Sequence, residues 1–515
     1  MLFSSYVFIF AFLPIMLLGF YGLRSFNQNF LAKLFLVLGS LFFYAFWEVK
    51  YLGLLLLSIL VNYAIATLIL RNFSKNSRGG GHNRFYRWIG IFFNLALLGF
   101  FKYTDFFLEN FNLLSQLLQL DFNIPLPHII LPLAISFFTF QQIAFLVDCH
   151  KRIDVKDLEE NDSIFSNNFK INFLDYCLFV SFFPQLIAGP IVHHKEMMPQ
   201  FKSLLQNNFV QWDKIAKGVF IFSIGLFKKV FIADSFAKWA NNGFSIVEKG
   251  GFLNIAESWV TSLSYTFQLY FDFSGYCDMA IGLGLLFGIL LPINFNSPYK
   301  ALNITEFWRK WHITLGRFLK DYLYIPLGGN RGSKFLTLRN LFIVAFLSGI
   351  WHGAGWGFII WGTLHGLAMC LHRIYSYILQ SLNLQKSAFL QSHFYKALCW
   401  ILTFNFLNIT WVFFRAENLQ GAFNLLKGMF GIVWMELPEK ARHMPKLLAQ
   451  IDGRNETLFF LIIGFIVILC MKNSIELLEN FKPSWKNVIF TGLLFYISIV
   501  TLSITPYVEF IYFNF

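Results

Sequence analysis

Long apolar stretches alternate with short polar ones along almost the whole chain. A helix needs about 20 mostly apolar residues to span a bilayer. The segments that approach this are 5–23, 32–47, 52–70, 88–107, 128–148, 173–192, 217–234, 259–291, 341–373, 396–414, 456–472 and 486–505. Two of them are long enough, or broken enough by Gly and polar residues, to be split. The pattern predicts an all-α, polytopic integral membrane protein with about 11 transmembrane helices and re-entrant segments. Polar stretches at Lys151–Phe169, Met197–Asp213, Asn241–Ile255, Leu382–Phe394 and Glu436–Glu456 read as loops. No linker is rich enough in Pro or Ser to mark a separate soluble domain, and no internal repeat is evident. A single membrane domain over residues 1–515 is the expectation.

Composition agrees with the pattern. The chain is 57% hydrophobic and 20% aromatic, with 68 phenylalanines and a mean hydropathy of +0.56. Only 13% of residues are charged, about half of what a soluble domain carries. Met1 to Tyr21 hold no basic residue, and Arg24 follows the apolar run instead of preceding it. That order predicts a retained first helix, not a cleaved leader. The net charge of +13 fits the excess of Lys and Arg in cytoplasmic loops and needs no nucleic acid to explain it. The clearest basic loop runs from Arg71 through Lys75 and Arg78 to Arg84 and Arg87. Taking it as cytoplasmic places the amino terminus on the opposite, outer side of the membrane. The six cysteines form no CxxC pair and read as small core residues, with no disulfide or metal site implied.

Residues 264–366 depart from this background. They are apolar overall, yet they carry Gln268, Asp272, Ser274, Asp278, Asn294, Asn296, Arg309, Lys310, His312, Arg317, Lys320, Asp321, Asn340, His352 and His365. Irregular or polar backbone at membrane depth must be packed in protein or line a wet cavity, so a buried polar tunnel is inferred. His352, in Ile350-Trp351-His352-Gly353, is flanked by long apolar runs. An ionisable group there is a functional candidate, and imidazole is the usual proton acceptor in acyl transfer. Helix packing is the competing reading. Trp308 to Tyr322 reads as one amphipathic basic helix, either an interfacial helix with Trp anchors or a basic rim for a phosphate-bearing donor. Tyr324–Arg331 reads as a tight turn without the Lys-Ser/Thr ending of a nucleotide loop. Gly282, Gly284 and Gly288 read as close helix packing. His193-His194 has no acidic partner at ligand spacing, and no Gly-x-Ser-x-Gly elbow occurs.

Taken together, Phe183–Pro190, Phe271-Asp272-Phe273-Ser274-Gly275-Tyr276-Cys277-Asp278, Asn294–Tyr299, Trp308–His312 and Trp351-His352-Gly353 resemble the membrane-bound O-acyltransferase family. The likeness covers roughly residues 5 to 415 and is greatest in the motif core, about 180–370. The bacterial branch that it most resembles acetylates alginate and peptidoglycan; a teichoic-acid D-alanyl transfer subunit is a relative. The resemblance implies a ring of helices around a central tunnel, a catalytic His at His352 and a second family position at His312. The tail 506–515, Phe510-Ile511-Tyr512-Phe513-Asn514-Phe515, resembles a carboxy-terminal aromatic motif of that branch in which a Tyr carries the acyl group. An interfacial aromatic belt is the alternative for Tyr512.

The expected donor is acetyl-CoA, used as a substrate with no cofactor or metal bound. Arg309, Lys310, Arg317 and Lys320 would attract its phosphates, with Asp272, Ser274, Asn296 and Trp351 completing the substrate site. The expected partners are a periplasmic SGNH-type O-acetyltransferase, an envelope polysaccharide as final acceptor, and the lipid bilayer. A D-alanyl transfer subunit using a carrier-protein thioester, a transporter or flippase, and a membrane scaffold are the competing readings.

Overall fold

The computed structural model describes residues 1–75, 80–120, 122–151, 171–206, 210–433, 447–504 and 510–511. Every regular element among them is helical, as the hydropathy pattern requires. Among the described residues, six helices are long and apolar enough to cross a membrane: Phe8–Ser25, Lys50–Arg71, His82–Leu117, Lys334–His352, His393–Arg415 and Trp485–Ile504. Asn29–Ala45 and Asn455–Cys470 are shorter apolar helices.

Several other apolar segments take forms that hydropathy does not distinguish. Residues 122–132 are irregular before the helix Ile135–Lys151 begins. Segment 173–192 is a helix over Phe173–Ser181, one turn over Phe183–Leu186, and then irregular chain to His193. A Cβ added at Gly189 would lie 2.4 Å from the Gln185 backbone, so this sharp return needs glycine. Segment 341–373 splits at Gly353–Gly355 into Lys334–His352 and Trp356–Ser381. By contrast, Ile255–Leu286 is one helix of 32 residues despite its polar positions.

Three local expectations are corrected. Met197–Asp213 is not a loop throughout, because His194–Gln206 is helical and buries Met197, Met198 and Phe201 on one face. The stretch from Asn241 continues the helix Asp234–Glu248 before the chain turns at Gly250. Gly288 is no packing glycine, since its φ of +80° ends the long helix in the left-handed region. Gly282 does pack closely, with a Cβ there falling 2.7 Å from the Gly218 carbonyl.

The chain clusters into two compact units, neither of them continuous in sequence. The first comprises Met1–Phe222 and Tyr276–Pro292. Its core is aromatic, with Phe8, Phe12, Phe43 and Phe183 in mutual contact. Several of its buried polar groups are paired, among them Lys33 with Asp175, Asn62 with Asn94, and Tyr176 with Gln142. The second comprises Ser223–Gly275 and Ile293–Phe515 and contains most of the expected chemistry.

Candidate active site

The second unit bends its backbone twice to build the site. The first bend interrupts the expected Trp308–Tyr322 helix, which is therefore corrected to two short helices, Ile304–Lys310 and Ile313–Leu319. Asn303 caps the first, its side chain accepting from the Glu306 N–H at 2.8 Å. Trp311 is then extended, and His312 takes the left-handed conformation at φ 46° and ψ 52°. That conformation costs a non-glycine residue about 1–2 kcal/mol, so the surroundings must impose it. Trp311 is 1% exposed and stacks on Phe307. Asn294 Oδ1 meets three donors: the Thr314 N–H at 3.2 Å, the Thr314 hydroxyl at 2.9 Å and His312 Nδ1 at 3.2 Å. The backbone N–H identifies that atom as the amide oxygen, so His312 Nδ1 is the donor and Nε2 carries the lone pair. The His312 ring packs edge-on against Phe273.

The second bend is the hairpin between Lys334–His352 and Trp356–Ser381. Its helices meet at glycines, and a Cβ on Gly349 would fall 2.5 Å from the Phe358 carbonyl and 2.7 Å from Gly362. His352 is the last residue of the first helix and is 3% exposed. Its Nδ1 lies 2.6 Å from the Ser348 carbonyl. A carbonyl only accepts, so Nδ1 holds the proton and Nε2 is the basic nitrogen. Trp351, Trp361 and Phe414 surround the ring edge-on at 5.0 to 5.4 Å. Trp351 also contacts His312, which brings the two expected histidines to one aromatic wall.

His365, which the sequence offers only as part of the polar run, belongs to the same cluster. Its Nδ1 accepts from Trp308 Nε1 at 3.2 Å, and its Nε2 faces Thr410 Oγ1 at 3.1 Å.

A cavity of 420 Å³ adjoins these groups. Arg309, Arg317, Lys320, Trp308, Ser348 and His365 are among its lining residues. Three of the four expected cations thus share one cavity. Lys310 is engaged elsewhere, 2.7 Å from Glu306 one helical turn away. Burial pulls the Glu306 carboxyl up, but Lys310, the Leu302 N–H and Arg309 together hold it below its ordinary range, so it stays anionic. A second, polar pocket of 380 Å³ shares Thr305 and Arg309 with the first and adds His372 and Arg373.

Asp272 is buried in an ion-pair cluster with Lys229, and Ser274 is buried two residues further along the same helix. Asn296 is exposed and accepts from Asn473 Nδ2 at 2.9 Å, while its N–H donates to the Lys310 carbonyl. Tyr512 lies outside the described residues.

Sequence reasoning did not single out Asn294, Ser348, Thr410 or Trp361 as site residues. Asn294 lies within the motif that supplied Asn296, so position alone could not separate them. His193-His194 does have an acidic neighbour, Asp148, with Oδ2 3.4 Å from His194 Nδ1. A separation of 46 residues hid it. Tyr324–Arg331 is the expected turn, with Gly328 and Gly329 at φ +105° and +57° and Asn340 Nδ2 donating to the Leu327 and Gly329 carbonyls.

Residues 116–416 match the membrane-bound O-acyltransferase family. A peptidoglycan O-acetyltransferase of Helicobacter pylori is 48% identical over 536 aligned positions, covering 100% of this chain and 98% of that protein. A probable alginate O-acetylase of Pseudomonas aeruginosa is 39% identical, covering 86% of this chain and 77% of its own length. A teichoic acid D-alanyltransferase of Bacillus subtilis is 26% identical over 47% of this chain and 59% of its own.

Proposed function

We propose a reaction for this chain, which belongs to the membrane-bound O-acyltransferase family and is an acyltransferase of the membrane: transfer of an acetyl group from a cytoplasmic thioester, acetyl-CoA, for O-acetylation of an envelope polysaccharide. That membership sets aside the transporter and scaffold readings. The substrate class follows from the Helicobacter and Pseudomonas relatives, whose names give peptidoglycan and alginate as the acetylated polymers. The observation that carries the mechanism is the His352 Nδ1 contact with the Ser348 carbonyl, which leaves Nε2 as the base.

In this reading the thioester carbonyl lies beside His352. His352 Nε2 takes the proton from an acceptor hydroxyl as its oxygen attacks that carbonyl. The C–S bond breaks, and the proton passes to the leaving thiolate. General-base catalysis of this kind is worth about 10²–10⁴-fold. His312 orients donor or base from the same aromatic wall. Arg309, Arg317 and Lys320 attract the donor phosphates to the cavity they line, and Trp351 closes the site beside both histidines. The acceptor is Tyr512 or a hydroxyl of a partner, and a phenol needs such a base because its pKa is about 10.

The acetyl group leaves on the periplasmic side of the inner membrane, the side of the amino terminus. An SGNH-type transferase there would place it on the polymer. Only the acyl group crosses, because a CoA-sized anion is excluded from hydrocarbon.

The test is to release O-acetyl groups by mild base from purified cell-wall glycan and exopolysaccharide. Wild type is compared with His352→Ala at equal membrane levels. Loss of acetyl from one polymer supports the reading and names the acceptor. Unchanged acetyl in every fraction defeats it and favours D-alanyl transfer. Tyr512→Phe keeps the ring and loses the hydroxyl, and full activity in that variant removes the acyl-tyrosine step.

A further inference from the structure

A buried charged cluster among the described residues plays no part in that mechanism. Lys228–Ala233 forms a π-helical turn after the helix Trp212–Phe227. In such a turn residues i and i+5 fall on one side, which brings Lys229 beside Asp234, Nζ to Oδ1 2.6 Å. The same ammonium lies 2.9 Å from Asp272 Oδ1. Within this trio, two carboxylates face one cation. Asp272 is 1% exposed and Lys229 is 3% exposed. Buried ion pairs are poor devices for stability alone, because desolvation offsets their attraction; where they are retained, one role open to them is to specify a single arrangement.

What the trio specifies is visible at the other oxygen. Asp272 Oδ2 accepts the backbone N–H of Ile511 at 3.0 Å, from a residue 239 positions away. Phe510, beside it, is 1% exposed. The carboxylate therefore grips the main chain and is indifferent to the side chain at 511. Lys229 and Asp234 fix the orientation of the carboxylate that does the gripping.

We propose that Asp272 is a positioning residue that clamps the carboxy-terminal segment by the Ile511 main chain. Tyr512, the acceptor offered in the proposed reaction, is the next residue in sequence. The catalytic part of this inference rests on the proposed acetyl transfer; the clamp itself does not.

The experiment uses the full chain in lipid nanodiscs and reads amide exchange around position 511 by mass spectrometry, together with steady-state acetyl transfer. Asp272→Ala removes the acceptor. Ile511→Pro removes the donor and leaves the ion trio intact, so it carries the test if Asp272→Ala fails to fold. Ile511→Ala keeps the N–H and is the control. In Asp272→Ala and Ile511→Pro, exchange of the flanking amides rises about tenfold or more, as expected for loss of a hydrogen bond to a charged acceptor. In both, kcat falls by a similar factor while the donor KM holds, and Ile511→Ala changes neither. Asp272→Asn, which retains an acceptor oxygen, recovers part of both. Unchanged exchange in Asp272→Ala and Ile511→Pro overturns the clamp. So does a fall in kcat for Asp272→Ala that Ile511→Pro does not share, since Asp272 would then act elsewhere. Faster exchange in a protein that transfers no acetyl even as wild type upholds the clamp and removes the proposed reaction.

Discussion

His352 and His365 stand on the two helices of one hairpin, are 3% and 1% exposed, and both touch Trp361. Their ring nitrogens are used in opposite ways. At His365 the partner of Nδ1 is an indole N–H, which only donates, so the lone pair is occupied and the ring proton sits on Nε2 toward Thr410. At His352 the partner of Nδ1 is a carbonyl, which only accepts, so the lone pair is on Nε2. Residue type and burial are the same in the two places. In the proposed reaction one histidine serves as the base and the other as a joint, a difference that follows from the hydrogen-bond polarity of one neighbour.

The largest effect expected from this contrast is at His352. Replacement by Ala lowers acetyl transfer by about 10²–10⁴-fold, with the amount of protein in the membrane unchanged. Transfer within a few-fold of wild type would dissolve the distinction. His365→Phe is expected to act first on stability. It leaves the Trp308 N–H without its acceptor, at about 1–3 kcal/mol, read as a lower melting temperature in detergent. A loss of kcat as deep as that of His352→Ala, without a change in melting, would reverse the two roles.

Asn294→Ala tests the neighbouring bend. Three donors lose their shared oxygen, and His312 loses what holds its left-handed backbone. Transfer should fall by about tenfold, the size of one hydrogen bond to a positioned group, and His312→Ala should match it. The smallest effects are at the rim. Single charge removals at Arg309, Arg317 or Lys320 should raise the donor KM about two- to fivefold at low salt and less at 0.5 M salt. Lys310→Gln should do less than any of them, because Glu306 already occupies that ammonium. An equal effect at Lys310 would show that the cavity is not what selects the cations.

The candidate site was legible in sequence as a place more than as an arrangement. An ionisable residue between apolar runs pointed to His352, and the basic run pointed to Arg309, Lys310, Arg317 and Lys320, of which Lys310 pairs with Glu306 instead of lining the cavity. The break at Trp311–His312 was not legible. Helical periodicity continues smoothly across it, while the contacts that hold the turn include Asn294, 18 residues earlier. The helix His194–Gln206 was missed for a related reason, since its polar residues outweigh the short apolar face of Met197, Met198 and Phe201. Asp148 beside His194 and Lys229 beside Asp272 could not be paired by spacing, because each pair is joined only by folding.

By itself, the sequence determined that the chain is helical and built for a membrane, and which hundred residues hold the candidate histidines and cations. Hydropathy is a sum over about 20 neighbouring residues, so it survives without knowledge of the fold. Only the tertiary structure decided which nitrogen of each histidine is basic, which cations share a cavity, and that Asp272 holds the main chain at Ile511. Those properties depend on the identity of a single partner atom within about 3 Å, and the partner lies anywhere from 4 to 239 residues away.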